Sequence, residues 1–212
     1  MVVENLSVPE SGKKNSKDIK VESLIVEKGE KIGICSLDET EAEVLLKVFA
    51  GINGYEGSIK VFGKELNENR KKIAEKMGIY FDKTVYPNIK LRKFMDMTGS
   101  FYRGVTVPRI EDVMKKYRLI KLGDAKLKYL DRFFVKKAGL AAASLNYPEL
   151  YILSGIFSDL DDESKTIIKE VVREEIDGKT AIVSSSSRED LENLCSRIYE
   201  INDGELNVVY WN

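Results

Sequence analysis

An acid-rich turn stands between a short apolar strand and an amphipathic helix near the start of the chain. The strand is predicted over residues 31–35 and the helix over 41–50, and residues 36–43 read SLDETEAE. A strand–turn–helix binds phosphate when the turn reads G-x-x-x-x-G-K-[ST], because the glycines expose backbone N–H groups, the lysine reaches the phosphates and the hydroxyl binds Mg²⁺. Those four positions are held here by Ser36, Glu41, Ala42 and Glu43. The turn therefore lacks each of these phosphate-binding groups.

The carboxylates of this turn admit three interpretations. Thr40 and Glu43 match the S/T-x-x-E capping box, in which two side chains satisfy backbone donors at a helix N-terminus, and this is the preferred interpretation. Asp38, Glu39 and Glu43 could instead bind a divalent cation, or the acidic side chains could simply be solvated. Like charges about 6 Å apart repel by roughly 2–3 kcal/mol per pair at an effective dielectric of about 20. We therefore expect ATP not to bind at this turn.

Composition excludes several other chemistries. The 212 residues contain no histidine, which rules out Ser-His-Asp and Cys-His catalysis and any zinc site with histidine ligands. The two cysteines, Cys35 and Cys195, lie in or beside apolar segments and are expected to be free, buried thiols. The formal net charge of −1 gives no general attraction to nucleic acid or to an anionic membrane. No apolar run approaches the roughly 18 residues of a membrane span, and a cytoplasmic protein is expected.

The order of predicted elements indicates an α/β sheet domain interrupted by a helical insertion. Strands are predicted over residues 2–8, 20–26, 31–35, 57–63, 78–81, 150–153, 180–184, 199–201 and 206–211. Helices are predicted over residues 41–50, 67–76, 161–176 and 188–198, and the segment from about 88 to 146 is mainly helical. We expect a single domain over residues 1–212, with the helical subdomain at approximately 84–146.

The remaining charged clusters are interpreted as structural. Asp161, Asp162 and Glu163 are expected to open a helix, where negative charge is favoured, rather than to form a catalytic pair of carboxylates. The basic runs are dispersed among acidic residues and are expected to form solvated helix faces. These runs are residues 70–72, 115–116 and 136–137.

Several longer segments carry a resemblance to a known family. The segments are LLKVFAG, GYEGSIKVFGKEL, NYPELYIL with SDLDDES, GKTAIVSSSS and EDLENLCSRIYEINDGEL. In order and spacing they resemble the ATP-binding subunit (nucleotide-binding domain) of ABC transporters over nearly the whole chain. The resemblance implies a P-loop NTPase-like sheet core of the ABC ATPase type, with an antiparallel β portion and a helical subdomain.

The functional positions of that family hold other residue types in this chain. The Q-loop glutamine falls at Asp82, the Walker B aspartate at Ser154, the catalytic glutamate at Gly155 and the switch histidine at Ser186. The signature turn falls on residues 130–134, LDRFF, and holds two bulky aromatic residues where close backbone approach to phosphate needs glycine. The D-loop survives in part as Ser158, Asp159, Leu160 and Asp161.

The resemblance also indicates where a partner would dock. Tyr86, Pro87 and Phe94 lie where family members build the groove that receives the transporter's coupling helix, although plain packing is the preferred interpretation of these residues. We add Asp82 and the D-loop residues as docking candidates.

Together these observations predict a degenerate ATP-binding-type subunit, a pseudo-ATPase that is not an enzyme and needs no cofactor or metal. It would be a cytosolic scaffold or regulator at the inner face of the membrane. Its partners would be a membrane permease, an active ABC ATPase subunit or a second copy, and not nucleic acid. The alternatives are an interaction module unrelated to transport and an ATP-hydrolysing subunit that uses Mg-ATP.

Overall fold

The computed structural model describes residues 1–9, 18–82 and 86–211. Its described strands form one mixed sheet in the order β5-β4-β1-β2-β10-β9-β3-β8-β7-β6. The strands are β1 (Val2–Val8), β2 (Ile19–Ile25), β3 (Lys31–Cys35), β4 (Glu56–Val61), β5 (Lys64–Glu65), β6 (Met77–Phe81), β7 (Leu150–Ser154), β8 (Thr180–Ser185), β9 (Arg197–Asn202) and β10 (Glu205–Trp211). The helices are α1 (Glu39–Phe49), α2 (Leu66–Ala74), α3 (Leu91–Ser100), α4 (Val107–Lys116), α5 (Arg132–Ala143), α6 (Asp162–Glu175) and α7 (Glu189–Glu192).

The two halves of the sheet are built differently. Strands β6, β7, β8, β3 and β9 run parallel, and β7 is buried along its whole length, as expected for a strand covered on both faces. Strands β1, β2, β4 and β5 pair antiparallel, and β9 and β10 form a hairpin. The predicted fold class, an ABC ATPase-type α/β core with an antiparallel portion and a helical subdomain, is confirmed.

Alternating side chains of the central strands build one hydrophobic core on each face of the sheet. Leu150 and Ile152 of β7 belong to the core that contains α1. Tyr151 and Leu153 belong to the opposite core, which also contains Leu91 of α3 and other helical residues. The helices between β6 and β7 therefore pack onto the sheet through a continuous apolar cluster.

One predicted helix is wrong. Residues 188–198 have apolar residues at helical spacing, yet only Glu189–Glu192 is helical and Arg197–Asn202 is strand β9. Ile198 pairs with Gly33 of β3, so the sheet hydrogen bonds override the local helical pattern.

Helix α1 begins earlier than predicted. Its first residue is Glu39, and the N-cap is Asp38, whose side chain accepts a hydrogen bond from the Thr40 backbone N–H at 2.8 Å. The prediction that Thr40 caps this helix with Glu43 is therefore wrong, because Thr40 already lies inside the first turn. Glu43 forms an ion pair with Lys47 at 2.5 Å.

Candidate functional site

The turn before α1 is closed by its own side chains. Ser36 is buried, and its hydroxyl donates to the Asp38 carbonyl oxygen at 2.9 Å and lies 3.3 Å from Glu41 Oε2. Asp38 caps the helix, as described above. The backbone donors that would face a phosphate in a glycine-rich turn are thus partly satisfied within the chain.

A pocket of about 220 Å³ lies beside this turn, at the carboxyl ends of β6, β7 and β8. It brings together many residues that were predicted from the sequence: Ala42, Glu43, Asp82, Ser154, Gly155, Ser158 and Asp159. The lining also includes Glu39, Arg132, Ser184 and Ser185. Ser186 contacts the rim, since its hydroxyl donates to Glu39 Oε1 at 3.0 Å. The predicted residues Ser36, Glu41, Leu160 and Asp161 do not line this pocket.

A buried lysine forms the centre of the polar network beneath the pocket. The Lys136 side chain is fully buried, and its ammonium donates to Asp82 Oδ2 at 2.8 Å and to the Gly155 carbonyl oxygen at 2.5 Å. It also lies 3.1 Å from the Ser158 hydroxyl. Burial lowers the pKa of Lys136, and the hydrogen bond and charge of Asp82 oppose that shift. The network joins α5 to the ends of β6 and β7.

Asp82 is the shared partner of two cations. Arg132 forms an ion pair with Asp82 and a second with Asp159 at 3.2 Å. Tyr80 donates its hydroxyl to the other Asp82 oxygen at 2.9 Å, and burial followed by the Asp82 charge raises the pKa of Tyr80. The carboxylate at the Q-loop position is therefore fully engaged by protein groups.

Sequence reasoning missed this role of Lys136. Residues 136–137 were predicted to form a solvated helix face, but both side chains are buried, so this prediction is wrong. The reason is close packing: a Cβ added at Gly139 would lie 2.2 Å from the Tyr80 ring, so α5 sits directly on β6. The signal was present, because the surrounding stretch FVKKAGLAAAS offers small or apolar residues on every side of the helix.

A second, mainly apolar groove of about 200 Å³ lies between β6, α3 and α5. Of the predicted docking residues, Asp82, Tyr86 and Phe94 line it, and the Tyr86 side chain is half exposed. Pro87 is not in the lining, but its carbonyl oxygen accepts a hydrogen bond from the Lys128 N–H at 2.9 Å. The structure thus places three of the eight predicted docking residues around one concave surface, which the four D-loop residues do not line.

Other predictions concern thiols, metals and membranes. Cys35 and Cys195 are both free and buried, as predicted. Within the described ranges, no three or more acidic or cysteine side chains are grouped so that they could hold a metal ion, Asp38, Glu39 and Glu43 included. None of the described helices combines the length and the apolarity needed to traverse a bilayer.

Comparison with known proteins agrees with the fold. No family model matches the chain. The ABC transporter ATP-binding protein NatA of Bacillus subtilis (strain 168) is 23% identical over 92% of the chain and 82% of NatA. The uncharacterized ABC transporter ATP-binding protein MJ1023 of Methanocaldococcus jannaschii is 26% identical over 96% of the chain and 74% of the relative. The linearmycin resistance ATP-binding protein LnrL of B. subtilis is 25% identical over 87% of the chain, which spans 61% of LnrL.

Solved structures show the same architecture. A dimeric structure of the ATP-binding cassette MJ0796 in a post-hydrolysis state, bound to ADP and Pi, superposes with a TM-score of 0.84 at 19% identity, covering 100% of this chain and 99% of the cassette. The ATP-binding subunit of an ABC transporter superposes with a TM-score of 0.78 at 17% identity, covering 97% of this chain and 87% of that subunit. The chain is related to the ATP-binding proteins of ABC transporters. The resemblance seen in the sequence is confirmed.

The prediction that this ABC-type chain is not an enzyme is contradicted. Its relatives are named ATP-binding proteins of transporters, and a cassette with the same fold holds the products ADP and Pi after hydrolysis. The expectation that the chain uses no cofactor is likewise not supported by these comparisons.

The pocket residues themselves fit a magnesium triphosphate poorly. Glu39 and Glu43 line the pocket, with Glu43 paired to Lys47, and Ala42 lines it where the phosphate-binding lysine would stand. Asp82 is already paired with Lys136 and Arg132. The chain therefore has the ABC fold, with different chemistry at the carboxyl ends of its parallel strands.

Proposed function

We propose that this chain is the ATP-binding-type subunit of an ABC transporter and that it acts on a membrane permease as a scaffold or regulator. The observation that carries the proposal is the groove between β6, α3 and α5, because it offers Tyr86 and Phe94 on a concave, mainly apolar surface of a chain related to transporter subunits over most of its length. Such a groove suits the apolar face of a short amphipathic helix from the partner. The subunit would then lie at the cytoplasmic face of the membrane through its partner.

The groove can be tested with one variant and one matched control. Phe94→Glu introduces a charge on the apolar surface, and we expect it to abolish co-purification of a permease with the tagged chain from gently solubilised native membranes. Phe101→Glu is the control, since Phe101 is 75% exposed and does not line the groove, and it should leave the permease yield unchanged.

Two outcomes would count against this proposal. If no permease is recovered with the unmodified chain, the transporter role fails, and an interaction module unrelated to transport becomes the better description. If both variants retain the permease equally, the partner docks on a surface other than this groove.

We further propose that the acidic pocket lowers the affinity for nucleotide. The carboxylate of Glu39 repels a triphosphate, Glu43 is paired with Lys47 and offers no hydroxyl, and no lysine of the turn binds the phosphates. The double substitution Ala42→Lys with Glu43→Ser supplies the lysine and hydroxyl of the phosphate-binding pattern. A charge-assisted hydrogen bond is worth about 1.5–3 kcal/mol, so we expect Mg-ATP to bind at least tenfold more tightly to this variant in calorimetry.

Hydrolysis should be measured in the same samples, for the chain alone and with its permease. Ala42→Glu is the control that adds negative charge, and it should weaken Mg-ATP binding further. Equal affinities for the unmodified chain and the lysine variant would show that phosphate does not bind at this turn.

The solved structures of the cassette MJ0796 are dimeric, and we propose that a second copy or another ATP-binding subunit pairs with this chain. Sedimentation with and without Mg-ATP measures that association.

A further inference from the structure

A larger cavity opens at the opposite end of the sheet from the acidic pocket. It has a volume of about 710 Å³ and lies at the amino ends of β3, β7 and β8. Binding sites for small molecules typically occupy about 300–1,000 Å³ and combine apolar walls with a few polar groups. The apolar wall of this cavity is made by Val2, Ile25, Val61, Phe62 and Leu150.

The rim of this cavity carries an excess of positive charge. Its lining includes three lysines, Lys28, Lys60 and Lys179, and two glutamates, Glu27 and Glu149. Glu149 is paired with Lys76 at 2.6 Å and Lys60 with Glu65 at 3.6 Å, so the excess charge comes from Lys28 and Lys179. A hydrogen bond from Lys76 lowers the pKa of Glu149, and the charges of Lys76, Lys28 and Lys179 act in the same direction. Lys28 and Lys179 therefore both act on the part of the rim around Glu149.

Phe62 stands at the cavity in an unfavourable backbone conformation. It forms, with Gly63, the two-residue turn between β4 and β5, and the φ angles of the two residues are 51° and 74°. Turns with two positive φ angles strongly favour Asn-Gly, and a bulky residue with positive φ is unusual. Lys76 Nζ lies 5.4 Å from the ring centroid, and the Phe62 side chain is 38% exposed. The fold thus accepts local strain and presents an aromatic ring to the cavity.

We propose that this cavity binds an amphiphilic anion, with its acyl chain against Phe62 and Ile25 and its carboxylate beside Lys28 and Lys179. A long, apolar body matches the aliphatic and aromatic wall, and one carboxylate matches the excess charge of the rim. The site is separate from the acidic pocket and from the groove, so the proposal does not depend on the transport role.

Dodecanoate is the probe, titrated by calorimetry below the concentration at which it aggregates. We expect saturable binding of one dodecanoate per chain. Acetate carries the carboxylate without the chain, and dodecanol carries the chain without the charge; each should bind at least tenfold more weakly. Comparable binding of dodecanol would overturn the assignment of an anion site, and the absence of saturable dodecanoate binding would overturn the whole proposal.

Two variants locate the site. Lys28→Gln with Lys179→Gln removes two of the three rim lysines, both at exposed positions, and should weaken dodecanoate binding at least tenfold. Lys72→Gln is the control, because Lys72 is an exposed lysine of α2 that does not line the cavity, and its affinity should equal that of the unmodified chain. Equal affinities for the rim variant and the control would place the ligand elsewhere.

Phe62→Asn separates binding from folding. It creates the Asn-Gly pair that this turn favours, so the midpoint of thermal unfolding should rise. It also removes the aromatic wall, so dodecanoate affinity should fall. A rise in the midpoint with unchanged affinity would show that Phe62 does not contact the ligand, and the proposed position of the acyl chain would be wrong.

Discussion

Individual residues in the acidic pocket act through one buried cation. The buried ammonium of Lys136 donates to Asp82 at the end of β6 and to the Gly155 carbonyl oxygen at the end of β7. A buried ammonium is tolerated only where such partners compensate for lost hydration. The chain therefore uses Lys136 to connect α5 with the end of the sheet at which the pocket lies.

The first prediction concerns this connection. Lys136→Met keeps the apolar stem but removes the charge, and Asp82 retains only Arg132 as a cationic partner. We expect the free energy of unfolding to fall by about 1–3 kcal/mol. The loss is smaller than for a buried charge left without any partner, because Arg132 still pairs with Asp82. Urea unfolding measures it.

The matched control is Lys115→Met. Lys115 is 66% exposed, and its substitution should change the free energy of unfolding by less than about 0.5 kcal/mol. A double-mutant cycle of Lys136→Met with Asp82→Asn isolates the pairwise energy. If the two substitutions prove additive, the short contact between these side chains does not stabilise the fold.

Among the elements, α1 shows how a helix N-terminus can be completed without a ligand. Its first turn carries Glu39 and Glu41, whose negative charges favour that end of the helix. Asp38 supplies the cap, two residues before Thr40, which the capping box would have required. The acidic character of residues 38–41 is therefore explained by helix stability.

The second prediction tests that cap. Asp38→Ala removes the acceptor for the Thr40 N–H and should lower the free energy of unfolding by about 1 kcal/mol. Asp38→Asn keeps an acceptor at the cap and should cost only a few tenths of a kcal/mol, since aspartate and asparagine are similarly good caps. Thermal and urea unfolding give both values. A larger loss for Thr40→Ala than for Asp38→Ala would restore Thr40 as the cap.

At the scale of the whole molecule, one sheet links everything that the structure describes. Each central strand sends alternate side chains to opposite cores, so neither core can be lost while the other remains intact. The core on the helical side includes Leu91 of α3 as well as Tyr151 of β7. The helical segment and the sheet therefore share one apolar cluster.

The third prediction is that the chain unfolds in a single transition. Calorimetric and van't Hoff enthalpies should agree, because the buried apolar side chains described in the helical segment belong to the same cluster as those of the sheet. Leu91→Ala should lower the midpoint of that one transition, at a cost of about 2–5 kcal/mol for a fully buried leucine. A second transition that Leu91→Ala shifted alone would contradict this prediction. It would show that the predicted helical subdomain, approximately 84–146, unfolds independently of the sheet.

The sequence by itself determined the α/β order, the positions of β3, β7 and β8, the free thiols and the absence of histidine chemistry. These follow from local patterns, since a continuous apolar run between turns defines a buried strand wherever the chain places it. The resemblance to ABC transporter subunits predicted the fold over nearly the whole chain.

Only the tertiary structure decided the burial of Lys136, the pairing of Asp82 and the change from predicted helix to strand at residues 197–198. Each depends on contacts between segments far apart in sequence. A lysine on α5 is buried because β6 and the β7 end cover it, and Ile198 is extended because β3 offers it a hydrogen-bonding partner. The cavity beside Phe62 has the same origin, since β1, β2, β4 and the amino ends of the parallel strands meet only in the folded sheet.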